Sequence, residues 1–115
     1  MFENKLQSYI NNNFINSSGK ELNNINPSDG KILNSFNENS LKEVDDAIHS
    51  ARQAQKLWEK IPAIERAVYL KKIGDKIKDN ASKIANIIVQ EQGKIKSLAE
   101  GEVNNTAEYF YYMAE

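Results

Sequence analysis

Apolar side chains in residues 8–37 come singly or in pairs, and turn-forming residues separate them. Pairs at 9–10, 14–15 and 32–33 alternate with stretches rich in Asn, Ser and Gly, and residues 26–30 (Asn-Pro-Ser-Asp-Gly) are the clearest turn. Proline fixes φ and glycine permits a positive φ, so this segment favours a tight reversal. The pattern predicts two or three short antiparallel strands, with turns between them, over residues 1–38.

From Ser40 onward the apolar residues follow a helical period. Ser40 and Glu43 have the spacing of a capping box, in which each side chain bonds the backbone N–H of the other residue. An apolar stripe then predicts a helix over about 40–59. Pro62 suits the first turn of a second helix, because its fixed φ is helical and its missing N–H is not needed there, and that helix is predicted to run to about residue 79.

Two further helices are predicted in the rest of the chain. Residues 79–80 (Asp-Asn) are candidate caps for a third helix, and Gly93 is a natural residue to end it in the left-handed conformation. Residues 97–100 (Ser-Leu-Ala-Glu) form a second potential capping box, which predicts the start of a fourth helix. The whole of 40–115 is therefore predicted to be helical.

The fourth helix has bulky side chains on all its sides at residues 109–113 (Tyr-Phe-Tyr-Tyr-Met). Successive helical residues are roughly 100° apart, so these five cannot all face one core, and a helix that is apolar all round is normally enclosed. The expectation is that this segment packs against protein outside the 115 residues, which makes the chain the front part of something larger.

Composition removes several function classes. The chain has 15 basic and 16 acidic residues, so its overall charge does not favour nucleic acid or an anionic membrane. It has no cysteine, which excludes disulfides, thiolate metal ligands and a cysteine nucleophile within these residues. No secretory signal pattern or apolar run of transmembrane length is present, so a cytoplasmic protein is expected.

Residues with catalytic potential all have a simpler structural explanation. The only histidine, His49, lies on the polar side of the first predicted helix and is expected to be exposed. Glu65 and Arg66 fit a helix start or a structural ion pair, and Trp58 fits an anchor between helices. The Gly93-Lys94 pair lacks the remaining residues of a phosphate-binding loop, so it is interpreted as a helix end. No catalytic or cofactor-binding residue is predicted.

Several short motifs follow one another along nearly the whole chain. They are residues 9–14 (YINNNF), 26–31 (NPSDGK), 44–48 (VDDAI), Trp58, 61–67 (IPAIERA), 91–95 (EQGKI), 98–100 (LAE) and 112–115 (YMAE). Their order resembles the N-terminal region of the NAD(P)-dependent aldehyde dehydrogenase superfamily, and it looks most like that of the bacterial lactaldehyde/glycolaldehyde dehydrogenases.

The resemblance implies an α+β fragment, in which a short antiparallel lead-in and four helices form the outer part of a Rossmann-like cofactor domain. Family members oxidise an aldehyde: a cysteine thiolate adds to it, hydride passes to NAD or NADP, and a water activated by a glutamate releases the acid. The nucleophile, the base and the cofactor motifs follow the region that this chain resembles. The chain alone is therefore expected to bind no cofactor, and its partners are expected to be the remainder of the enzyme or like subunits.

One binding feature is carried over by the resemblance. Some members hold a monovalent cation with a carboxylate before the Gly-Lys pair and with main-chain oxygens before the Asn-Pro turn. In this sequence those positions are Glu91, with Asn24 and Ile25. A glutamate that simply ends a helix is the competing interpretation.

The predicted function is the N-terminal fragment of an aldehyde dehydrogenase that oxidises a small aldehyde, inactive alone. Two alternatives stay open. The chain could complement a separately encoded C-terminal part and restore an enzyme, or it could be a non-catalytic helical interaction module that uses its aromatic end.

Overall fold

A computed structural model describes residues 5–115 and has four short strands followed by four helices. The fold class is α+β, as predicted, with a small antiparallel lead-in before the helices. The chain divides into two compact units, one ending at Lys60 and the other comprising Ile61–Glu115. The first unit contains β1 (Ser8–Ile10), β2 (Asn13–Ile15), β3 (Glu21–Ile25), β4 (Ile32–Asn37) and α1 (Leu41–Trp58). The second contains α2 (Ala63–Asp79), α3 (Ala81–Gln92) and α4 (Lys96–Met113).

The four strands form two separate antiparallel hairpins, β1–β2 and β3–β4. Asn11 and Asn12 connect β1 to β2 with positive φ angles of 50° and 61°. This is the backbone of a two-residue hairpin turn, and asparagine tolerates it better than other residues with a side chain. The sequence predicted two or three strands, and the structure has four. The count was low because the two shortest strands have only three residues each, which gives little pattern to detect.

The predicted turn at 26–30 joins β3 to β4. The Gly30 N–H donates to the Asn26 carbonyl over 2.8 Å, and Gly30 has a φ of 72°. The Asn26 side chain accepts from the Ser28 N–H at 2.9 Å, which is the local bond that makes asparagine a turn residue. The pairing shifts register between Asn24 and Ile25, just before this turn.

Helix α1 starts at the predicted capping box. The Glu43 N–H donates to the Ser40 hydroxyl over 3.3 Å, and the Ser40 N–H donates to the Glu43 carboxylate over 2.6 Å. The bond from the Ser40 backbone holds the pKa of Glu43 below its ordinary value. The box therefore satisfies two N–H groups that the first turn of a helix leaves unpaired.

In the second unit α2 and α3 both pack on α4. The centre of this packing is made of small side chains, since Ala85, Ala99 and Val103 are almost fully buried. Small residues let the helix axes approach closely, and larger apolar side chains surround them. Those partly buried neighbours are Ile77, Ala81, Ile84, Ile88 and Val89.

The predicted start of the fourth helix is wrong. Helix α4 begins at Lys96, and Ile95, in extended conformation, stands at the N-cap without a side-chain bond. The backbone N–H groups of Leu98 and Ala99 both donate to the Ile95 carbonyl, at 3.0 and 3.1 Å. Ser97 therefore lies inside the first turn of α4 and is not its N-cap. The capping box predicted for residues 97–100 does not form.

Of the two candidate caps for α3, Asn80 stands at the N-cap, but its side chain caps the preceding helix instead. Its amide group donates to the Lys76 carbonyl over 2.9 Å, and the same carbonyl accepts from the Asn80 backbone N–H at 3.2 Å, so Asn80 ends α2 with two bonds. Pro62 stands at the N-cap of α2, one position before the first helical residue.

Candidate functional site

A polar cluster joins α2 to α4 at the aromatic end of the second unit. The Tyr111 hydroxyl donates to the Asp75 carboxylate over 2.8 Å. The Lys78 ammonium lies 2.7 Å from the Glu108 carboxylate and 4.8 Å from the centre of the Tyr111 ring. Three charged side chains from two helices, two acidic and one basic, thus lie around the Tyr111 ring.

The electrostatics of this cluster favour a structural role. The hydrogen bond to Asp75 raises the pKa of Tyr111, so the phenol stays protonated. The hydrogen bond to Glu108 raises the pKa of Lys78, so the amine stays charged. A general base needs a pKa near the working pH, and both shifts move away from it. The sequence pattern does not predict this cluster, since its only local signal is the spacing of three residues between 75 and 78 and between 108 and 111.

The connection between α3 and α4 confirms the interpretation of Gly93 and Lys94 as a helix end. Gly93 has a left-handed φ of 65°, and its N–H donates to the Val89 carbonyl over 2.9 Å. Lys94 forms an ion pair with Glu102 of α4. Gly93 lies at the carbonyl end of α3, which carries partial negative charge, so this glycine does not fit the pyrophosphate of a dinucleotide.

The predicted cation ligands lie in different units. Glu91 is in the last turn of α3, and Asn24 and Ile25 end β3. The carbonyl end of α3 adds negative potential near Glu91, which suits a cation. Among residues 5–115, no group of three or more His, Cys, Asp or Glu side chains is arranged to hold a metal ion. A site made of one carboxylate and main-chain oxygens is not tested by that observation, and it stays a prediction.

The remaining residues with catalytic potential lie on helices α1 and α2. His49 is exposed on α1, as expected, and Trp58 is half-buried at the end of the same helix. Glu65 is exposed and Arg66 is half-buried in the first turn of α2. No helix in the described part of the chain has the length and apolar character needed to cross a membrane.

The aromatic end of α4 is only partly covered. Phe110 and Tyr111 are half-buried, whereas Tyr109, Tyr112 and Met113 are 67%, 72% and 67% exposed. Together these three side chains form a surface that we call the α4 apolar face. The five bulky residues therefore do surround the helix as the sequence predicted, and the second unit covers one side of it.

The chain is similar to aldehyde dehydrogenases over nearly its whole length. Residues 14–115 match the aldehyde dehydrogenase family. The lactaldehyde dehydrogenase of Escherichia coli is 41% identical over 108 residues, which are 93% of this chain and 22% of that protein. The 3,6-anhydro-alpha-L-galactose dehydrogenase of a Vibrio species is 30% identical over 112 residues, which are 96% of this chain and 23% of that protein.

Solved structures give the same result for the fold. The crystal structure of the Escherichia coli lactaldehyde dehydrogenase superposes with a TM-score of 0.92 at 38% identity, over 96% of this chain and 23% of that one. The NADP-dependent glyceraldehyde-3-phosphate dehydrogenase of Bacillus halodurans, solved in complex with NADP, gives a TM-score of 0.92 at 32% identity over the same shares.

The chain thus spans between a fifth and a quarter of the length of these relatives, at 22% and 23%. The part it matches is the N-terminal part of their fold. By sequence and by fold, this chain belongs to the aldehyde dehydrogenase family.

Proposed function

We propose that the chain supplies the N-terminal part of an NAD(P)-dependent aldehyde dehydrogenase of the lactaldehyde type. The observation that carries this proposal is the 41% identity to the Escherichia coli lactaldehyde dehydrogenase across 93% of the chain. Such an enzyme oxidises a small aldehyde to its carboxylic acid. In this proposal the chain forms the outer helices and strands of the cofactor domain.

The chain contributes structure and no reacting group. The family reaction needs a thiolate, and these 115 residues contain no cysteine. Gly93 is at the carbonyl end of its helix, which does not suit a pyrophosphate, and the proposal assigns dinucleotide binding to protein outside these residues. The α4 apolar face is the surface expected to contact that protein, because its three bulky side chains are uncovered here.

Activity measurements test this proposal directly. The chain is mixed or co-expressed with the part of the Escherichia coli lactaldehyde dehydrogenase that follows the matched region, and NAD reduction with lactaldehyde is recorded. We expect no reduction above the buffer control by either piece alone, and measurable reduction by the pair. Activity of the chain alone contradicts the proposed inactivity. A pair that neither associates nor reacts contradicts the proposed contact.

An interaction module is the second candidate, and the exposed α4 apolar face is the observation that favours it. Native mass spectrometry of the isolated chain separates the two. A discrete, folded homo-oligomer favours the module, whereas an aggregating or unfolded chain favours an incomplete part of an enzyme. The expected cytoplasmic location stays a prediction, which fractionation of source cells tests.

A further inference from the structure

An open groove runs between α2 and α3 in the second unit, with a volume of about 520 Å³. Its floor is made of isoleucines from both helices, and Tyr69 stands at one end. On the α2 side the lining residues extend from Tyr69 to Asn80, the residue that follows α2, which is about 16 Å at a helical rise of 1.5 Å per residue. The floor residues are Ile73, Ile77, Ile84 and Ile87.

The floor belongs to the packed core of the unit. Ile77 and Ile84 both contact the buried cluster of Ala85, Ala99 and Val103. Side chains that are packed on one side lose little further freedom when a ligand covers the other side. The groove is therefore formed before any partner arrives.

The rim of the groove has a single charge sign. Lys72, Lys76 and Lys83 are lining residues, and no carboxylate is among the nine residues that line it. In the described part of the chain, neither Lys76 nor Lys83 has an ion-pair partner within 4.0 Å. The Lys72 ammonium lies 5.8 Å from the centre of the Tyr69 ring, within the range of a cation–π contact, and both residues line the groove.

We propose that this groove binds an amphipathic helix whose apolar stripe is flanked by carboxylates. An apolar channel about three turns long is the surface into which an amphipathic helix places its apolar face. The groove is too open to enclose most of a small molecule, which ligand pockets normally do. Carboxylates on the flanks of the helix meet the three lysines, and acidic partners are preferred over basic ones.

The test uses a designed peptide as the probe. A fluorescent helical peptide has Leu at positions i, i+3, i+4 and i+7 and Glu on both flanks, and its matched control has Lys in place of each Glu. Anisotropy is recorded as the 115-residue chain is titrated into each peptide. We expect the Glu peptide to bind at least about tenfold more tightly at low salt, and we expect added salt to weaken its binding.

Substitutions then test whether the peptide binds in the groove. Lys76→Glu with Lys83→Glu reverses the rim charge, and Ile73→Ser makes the floor polar. Lys71→Glu is the matched control, since Lys71 is an exposed lysine of α2 outside the lining. Binding of the Glu peptide is expected to fall about tenfold in the first two variants and to remain within about twofold in the control.

Several results overturn the proposal. They are equal affinity for the two peptides, no detectable binding of the Glu peptide, or an equal loss in Lys71→Glu. A stronger affinity for vesicles of anionic phospholipid, with no competition from the Glu peptide, assigns the lysines to a membrane and likewise overturns it. Because the groove is tested by binding alone, these outcomes are separate from the fate of the proposed enzyme function.

Discussion

At the scale of single residues, two glycines of the second unit differ sharply in their surroundings. Gly74 is buried in α2, and a Cβ built on it lies 2.7 Å from Cε1 of Tyr111. Gly101 is exposed in α4, and a Cβ there has nothing within 4 Å. Glycine is the least favourable helix residue after proline, so the presence of each glycine has a cost that only contacts can offset.

This contrast predicts opposite effects of one substitution. Gly101→Ala is expected to raise the free energy of unfolding by about 0.5–1 kcal/mol, because it only removes flexibility from the unfolded chain. Gly74→Ala is expected to lower it, because the methyl group displaces the Tyr111 ring and the bond to Asp75, and overpacking costs about 1–3 kcal/mol. Urea unfolding followed by circular dichroism measures both. Equal stabilisation by the two variants contradicts the close contact.

The Tyr111–Asp75 bond predicts a titration. The folded pKa of Tyr111 is raised, chiefly by that bond, so its contribution to stability is present below the ordinary tyrosine pKa of about 10. The contribution is lost as pH rises through the folded pKa. Asp75→Asn is expected to lower the Tyr111 pKa, which is measured by phenolate absorbance as the difference from Tyr111→Phe. An unchanged titration in Asp75→Asn contradicts the bond.

At the scale of helices, one of the two predicted capping boxes forms and the other does not. Each of them contains a serine that can be replaced by alanine. Ser40→Ala removes the hydroxyl that accepts from the Glu43 N–H, and it is expected to cost about 1 kcal/mol of unfolding free energy. Ser97→Ala is the matched control. It is expected to be neutral or slightly stabilising, because Ser97 lies inside α4 and alanine is the better helix former. Chemical denaturation compares them, and equal losses contradict the assigned helix starts.

These elements show which parts of the fold local sequence can predict. The Ser40 box, the turn at 26–30 and the Gly93 end depend on residues at most four apart, and all three were predicted correctly. The start of α4 was missed because the register of its buried face, with Ala99 and Val103, depends on α2 and α3. The Tyr111–Asp75 contact spans 36 residues, and no periodicity indicates it.

At the scale of the molecule, apolar surface remains uncovered in both units. No residue of α1 is buried, although the helix has a clear apolar stripe, and Leu41 is 85% exposed. Tyr109, Tyr112 and Met113 add the α4 apolar face. The order of motifs along the sequence predicted the family. The groove between α2 and α3 could not be predicted in this way, because it depends on how the two helices pack together. The charge of its rim is local, since the whole chain has a net charge of -1.

The α4 apolar face predicts self-association of the isolated chain. Each tyrosine can bury roughly 150–250 Å². A face with three exposed bulky side chains therefore exceeds the few hundred Å² above which exposed apolar patches promote association. Tyr109→Ser with Tyr112→Ser is expected to shift sedimentation-velocity profiles toward the monomer. Leu41→Ser with Leu57→Ser is the control, because these exposed leucines of α1 are about 24 Å apart along the helix axis and form no joint patch with each other.

The same tyrosine variant links this surface to the proposed function. If the face contacts the remainder of the enzyme, the variant is expected to weaken complementation by that remainder as well as self-association, because one surface serves both. The leucine variant is expected to leave complementation within about twofold of the parent. A parent chain that stays monomeric at every concentration, or a tyrosine variant that complements fully, contradicts the assignment of this face as a contact surface.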